Sequence, residues 1–273
     1  MILSALLIQY KYMKNIFLFN YLLLLLPFSD IISQSNINTG IVEYNQILVN
    51  DTITNNLIET KGTLYFNINE RKSVYHWDRK NKNYKREFQK TEDGTLKVVL
   101  KNGKSGTDSI GRVIYKDYNS NISQIRERIG QWYIVTDTVA IKWVIENERK
   151  NFNNMILHKA VGDFRGRRYI AWFNPDIPVP DGPWKLRGLP GLIIEAYDEK
   201  KHVRFEFLSI TIPSIFDDII KVPVAGEPIN FSVYQEKKLK NMADSMKNAQ
   251  SQLTQSGLST QGLVMRTNTM ERN

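Results

Sequence analysis

The six residues Gly188-Leu189-Pro190-Gly191-Leu192-Ile193 end the most proline-rich stretch of the chain and begin one of its clearest strands. Pro190 presets φ near −65° and Gly191 accepts positive φ, the pairing that a type II turn needs at its two central positions. A sharp reversal is expected there. Upstream, Pro175, Pro178, Pro180 and Pro183 rule out a helix or a central strand between Trp172 and Trp184. That stretch is expected as a long, stiffened surface loop. Downstream, Leu192, Ile194 and Ala196 fall on one side of an extended segment and Ile193, Glu195 and Tyr197 on the other. Asp198-Glu199-Lys200-Lys201 then reverses the chain into Val203, Phe205 and Phe207, which alternate with Arg204 and Glu206.

The rest of the chain has the same rhythm. Opening strands are expected over 40–49, 62–68 and 73–77, with the polar residues 50–60 as a connection and 69–72 as a hairpin turn. Residues 78–90 are charged and poor in aliphatics, so they are expected as an insertion holding one edge strand. Strands follow at 95–100, 110–118 and 122–129. In the last of these Ser123, Ile125, Glu127 and Ile129 form the buried face. Residues 131–135 and 141–146 are rich in β-branched and aromatic side chains and are expected as central strands. Residues 155–161 and 168–173 flank Gly166, which suits a hairpin tip. After an irregular stretch over 211–230, Ser232 and Gln235 have capping-box spacing, and Leu239, Met242, Ala243, Met246, Ala249 and Leu253 recur at helical spacing. The expected fold is mainly β: a single curved antiparallel sheet or incomplete barrel. The C-terminal α-helix over 232–255 is expected to pack on it and cover its apolar face.

Around the hexapeptide the chain resembles the GLPGLI family. The resemblance rests on Ile177-Pro178, Gly182-Pro183-Trp184, the complete run from Gly188 through Leu189, Pro190, Gly191 and Leu192 to Ile193, and Glu195. These residues follow the aromatic segment Ala171-Trp172-Phe173, the context expected for the motif. The family comprises exported proteins of Bacteroidetes-type bacteria without an established activity. The resemblance spans residues 36–255, with its sharp motifs within 160–210, and implies an extracytoplasmic module with no catalytic residues to carry over. Many members carry a cysteine just before a Lys-Ala pair. Here His158 stands before Lys159-Ala160.

Residues 1–33 differ from everything after them. Lys11 and Lys14 precede the apolar run from Ile16 to Leu26, followed by Pro27 and small or polar residues to Ser33. This is the pattern of a cleaved secretory signal. The run is short of the roughly 20 apolar residues that a membrane span requires. The domain reading is therefore a signal over 1–33, a β domain over 34–255 and a flexible tail over 256–273, with the protein in the periplasm or secreted and at most peripheral to a membrane. There is no cysteine, which removes disulfides, thiolate metal sites and a lipid-modified cysteine anchor. The formal net charge of +9 suits anionic partners, and for an exported chain these are lipid headgroups, acidic glycans or an envelope protein rather than nucleic acid.

The residues that could carry chemistry are few. His76, His158 and His202 lack metal-ligand spacing, and neither a serine nucleophile elbow nor a phosphate-binding glycine loop is present. No metal and no cofactor is implied. Carboxylates at Glu146 and Glu148, Asp176 and Asp181, and Glu195 and Glu206 could pair as in a glycosidase-like hydrolase, the alternative to a binding role, if two stood about 5–10 Å apart across a cleft. Salt bridges with nearby Lys and Arg explain them equally well. Aromatic rings are the other clue. Trp143 and Trp172 lie in apolar strands and are expected in the core. Trp184 lies in the proline loop beside Lys185 and Arg187, and these three are the expected contacts for an anionic or apolar ligand or a partner protein.

Overall fold

The computed structural model describes residues 38–51, 56–77, 84–90, 96–102, 108, 110–255 and 270–271. The expected signal over 1–33 lies outside them, as does the expected tail apart from Met270 and Glu271. In chain order the elements are β1 (Thr39–Asp51), β2 (Asn56–Asn67), β3 (Lys72–Trp77), β4 (Tyr84–Lys90), β5 (Leu96–Asn102), β6 (Val113–Asp117), β7 (Ile122–Ile129) and β8 (Gln131–Thr138). Then come β9 (Trp143–Phe152), β10 (Met155–Phe164), β11 (Arg167–Asn174), β12 (Leu192–Asp198), β13 (Val203–Thr211), β14 (Glu227–Asn230) and one helix, α1 (Phe231–Gln255).

Twelve strands form one sheet in the order β14-β8-β7-β6-β3-β2-β1-β13-β12-β11-β10-β9, which is not closed, and β4 and β5 pair separately. All contacts in the large sheet are antiparallel except β14 on β8. The long-range step is β1 with β13, which joins the two ends of the domain from Ile41↔Thr211 to Leu48↔Val203. Side chains show how far the sheet curls. Asp137 on β8, second in the order, forms an ion pair with Arg165 in the β10–β11 turn near the other edge. Strands at opposite ends of the order can meet only if the sheet bends back on itself, so the expected incomplete barrel is the fold.

Local chemistry accounts for the turns. The β10–β11 hairpin reverses through Arg165 and Gly166, both at positive φ (51° and 69°), between the paired residues Phe164 and Arg167. A two-residue turn of this hand matches the twist of the flanking strands. On β9, Glu146, Asn147 and Glu148 oppose Lys159 across a register shift. The Lys159 ammonium meets both carboxylates, at 3.1 Å and 2.6 Å.

Four expectations are corrected. Residues 56–60 are not connection but the start of β2, paired with the end of β1. Residues 141–146 do not form a central strand. β9 is an edge, with Val144 and Ile145 exposed and Trp143 half-buried. The irregular stretch holds β14, a short edge strand, and Pro228 is tolerated because an edge strand has one unpaired side. Finally, α1 packs on the sheet as expected but does not cover its apolar face. It docks through its first turn, where Tyr234 is buried against Tyr133 of β8, while Leu239 is half exposed.

Candidate functional site

What fills the interior instead is the proline-rich loop. Its backbone bonds largely to itself and to the signature strand: Gly188 N–H to the Pro180 carbonyl at 3.0 Å, Leu192 N–H to Ile177 at 2.9 Å and Ile193 N–H to Asp181 at 2.9 Å. With those groups satisfied, Val179, Trp184, Leu186 and Leu189 join the core. The signature residues serve this packing. A Cβ on Gly182 would stand 2.6 Å from Ile193 Cβ, and one on Gly191 would stand 2.3 Å from the Asn174 carbonyl oxygen. Gly188 has φ of 95° and is exposed, so its constraint is conformational. The expected type II turn at Pro190-Gly191 is not formed: Gly191 is close to fully extended at 159°, and the Leu192 amide goes to Ile177 rather than back to Leu189. Glycine is needed there for want of room.

The turn in this loop lies earlier, closed by Leu186 N–H on the Pro183 carbonyl at 3.0 Å. It holds Trp184 at φ of 53°. The indole points inward, stacked on Phe205 at 6.2 Å between centroids and packed on Phe164 and Tyr169. The expectation of a surface-exposed contact trio is therefore corrected: Trp184, Lys185 and Arg187 are 4%, 5% and 7% exposed. The loop folds inward because it carries four apolar side chains that the sheet interior can bury. Arg187 donates to the carbonyls of Asp117 and Ser120 at 2.8 Å each, and its own carbonyl accepts the Trp143 indole N–H at 2.8 Å. Trp172 is buried as expected.

Two polar constellations anchor the loop. In the first, the fully buried Asp181 accepts hydrogen bonds from Ser73 of β3, from the Lys116 ammonium of β6 at 2.5 Å, from the Tyr118 hydroxyl at 3.0 Å and from the Gly182 amide at 2.7 Å. Lys116 also donates to the Gly182 carbonyl at 2.9 Å. Burial pushes the Lys116 ammonium below its ordinary pKa, against the pull of Asp181, and pushes the Tyr118 hydroxyl well up. With Ser73, Lys116 and Asp181 fully buried, this constellation holds the loop in place.

The second lies where the two ends of the sheet approach. Lys185 Nζ pairs with Asp137 at 2.8 Å, and Arg165 pairs with the other oxygen of the same carboxylate. The Arg165 guanidinium lies 3.8 Å over the Phe231 ring, with Lys185 Nζ 4.7 Å from it. Glu271 completes the group: one carboxylate oxygen pairs with Lys185 and the other accepts from Gln235 Nε2 of α1 at 2.9 Å. Beside it, the Met270 carbonyl accepts from Arg167 Nε at 3.1 Å and from the Tyr169 hydroxyl at 3.0 Å. Asp198 fixes Arg167 at 2.6 Å. Of these residues only Lys185 was expected at a site. The others had a readable signal: Asp137 continues the inward alternation of Tyr133 and Val135, as Lys116 does after Ile114, and a charge at an inward strand position needs a buried partner.

A family model described as a protein of unknown function, Porph_ging, matches residues 121–195. The Porph_ging stretch runs from β7 to within β12 and so contains Asp137, Arg165, the whole loop and the hexapeptide. No curated protein matches the chain. Among solved structures, PNGF-II in its P21 crystal form is similar at 13% identity and a TM-score of 0.50, over 75% of this chain and 34% of that one. An uncharacterized conserved protein from Thermus thermophilus aligns at 8% identity with a TM-score of 0.37, over 73% of this chain and 94% of its own. The likeness to PNGF-II is one of fold, and the chain spans about a third of that protein's length.

Of the remaining acids singled out in the sequence, Glu146 and Glu148 come together on the Lys159 ammonium that neutralises them, whereas Glu195 pairs with Lys150 and Glu206 with Arg204. Asp181 is locked to Lys116 while Asp176 is exposed. The three histidines lie on β3, on β10 and in the β12–β13 turn, and among the described residues no group of His, Cys, Asp or Glu is arranged to hold a metal ion.

Proposed function

We propose that this chain is an exported binding module of the cell envelope, of the GLPGLI type, that takes an anionic ligand or the acidic segment of a partner protein and performs no chemistry on it. The observation that carries this reading is the charge balance around Lys185. Two cations, Lys185 and Arg165, share one inward carboxylate, Asp137, and a second anion is supplied by a residue remote in sequence, Glu271. A nearly buried ammonium in that setting favours an anion strongly, because few waters compete for it. An apolar ligand held inside the sheet fits less well, since Trp184 and its neighbours fill that space. The hydrolase alternative lacks a free carboxylate pair at the positions that suggested it.

A labelled heptapeptide matching residues 267–273, titrated into the full chain and followed by fluorescence anisotropy, tests the reading. Binding should weaken as salt rises. Lys185→Gln, which leaves Asp137 paired to Arg165, should lower affinity at least about tenfold, the loss of one charge-assisted bond. Absence of binding at low salt both to the full chain and to its Glu271→Gln variant, in which the anion already at Lys185 is weakened, rejects the proposal.

A further inference from the structure

We infer that the segment Met270–Glu271 is a built-in occupant of a peptide site, and that the site's ligand is an extended acidic peptide presenting an apolar residue followed by a glutamate. This rests on reading the Lys185 end as the binding site. Three features of the segment are recognised at once. The Met270 side chain packs against the hydrophobic core. Its carbonyl accepts from Arg167 Nε and the Tyr169 hydroxyl, at 3.1 Å and 3.0 Å. The next residue's carboxylate is divided between Lys185 and Gln235.

The donors are contributed by separate elements: Arg167 and Tyr169 by β11, Lys185 by the loop and Gln235 by α1. They are positioned independently of the segment. Arg167 is fixed by Asp198, Lys185 by Asp137, and Gln235 lies on the turn of α1 that docks through Tyr234. The cradle is therefore organised by groups other than its occupant. Arg165 Nε, beside it, is buried with no hydrogen-bond partner among the described residues, a donor still available to an anion.

A phosphate or a sugar carboxylate satisfies Lys185 and Gln235 but leaves the donors of Arg167 and Tyr169 and the apolar contact unused. A peptide engages all of them. Spacing of a main-chain carbonyl and the following side-chain carboxylate is what makes the site select a peptide over a bare anion. Tethering gives Met270–Glu271 an effective concentration on the order of millimolar. A ligand in trans binds only as often as the segment lets go, so its apparent affinity falls by the fraction of time the site is filled.

The same labelled heptapeptide is titrated into the full chain and into its Glu271→Gln and Glu271→Gln/Lys185→Gln variants, with circular dichroism confirming that each is folded. Glu271→Gln should tighten peptide binding at least about tenfold, because the internal competitor is weakened while the cradle is intact. The double variant should lose that gain. Neither inorganic phosphate nor phosphatidylglycerol vesicles should displace the peptide at concentrations comparable to its own. Equal affinity for the full chain and Glu271→Gln overturns the competitor inference and leaves the binding reading standing. Binding to neither overturns both. Displacement by phosphate or by vesicles at comparable concentration overturns the peptide assignment in favour of a phosphate-bearing ligand.

Discussion

At Trp184 a strained backbone and a buried ring belong to one arrangement. A bulky residue at φ of 53° costs about 1–3 kcal/mol, and burial of the indole against Phe205, Tyr169 and Phe164 offsets it. Trp184→Ala removes the gain and keeps most of the strain, so it should destabilise by about 3–5 kcal/mol in urea unfolding. Trp143→Ala, on a half-buried edge residue, should cost clearly less. The reverse order of midpoints would mean that the loop is not part of the core. Acid stability depends on a different residue. Arg126 is buried, and Asp108 accepts both of its terminal guanidinium nitrogens. Those bonds hold the Asp108 carboxyl down to about 2 from a usual 3.8. As pH falls, the unfolded chain takes up this proton first. The stabilisation is therefore whole above about pH 4 and is lost as pH drops toward 2. Asp108→Asn should flatten that limb of a pH-dependent melting profile, and an unaltered limb would assign acid sensitivity to other groups. The glycines and prolines of the signature were legible as backbone constraints. The direction in which the loop side chains face was not, because a proline-rich segment with tryptophan has the same composition whether it covers a surface or plugs a core.

For the elements, strand identity was far easier to read than strand neighbourhood. Alternation marks Val42 and Tyr44, or Phe205 beside Arg204, as inward and outward positions, yet β-rich composition is the same at the centre and at an edge. That is why 141–146 read as central when it opens β9. The helix shows the same division. The expected span of 232–255 falls within one residue of the observed Phe231–Gln255, but Ser232 lies inside the helix rather than capping it, Gln235 donates to Glu271, and Leu239 and Ala243 of the expected apolar stripe are exposed. Tyr234, in the first turn, is the buried contact, and Leu239 is half exposed. Tyr234→Ala should therefore destabilise by about 3 kcal/mol, as for other large aromatics, while Leu239→Ala should stay within about 0.5 kcal/mol of the parent, as surface substitutions do. Comparable losses from the two would show that the helix lies along the sheet over its full length.

On the scale of the whole molecule, the pattern over 1–33 leads to an expectation about the mature chain. Protein isolated from the native envelope should begin between Ser33 and Asn36, by N-terminal sequencing, and a cytoplasmic protein that keeps the apolar run from Ile16 to Leu26 would end the export proposal. The inward loop also has a consequence in time. Strands β1 to β11 are all synthesised before residue 175, but the side chains that fill their interior lie at 179–189, and the partner of β1 comes later still, at 203–211. Contacts this distant in sequence form slowly, since the loop-closure entropy is lost before the contacts repay it. A nascent chain that has emerged only as far as Asn174 holds most of its strands and has nothing to enclose, with an apolar face and the edge of β1 both open. Such intermediates aggregate readily. The last third of the polypeptide thus decides when the first two thirds become a protein, and until it arrives the chain depends on being held unfolded.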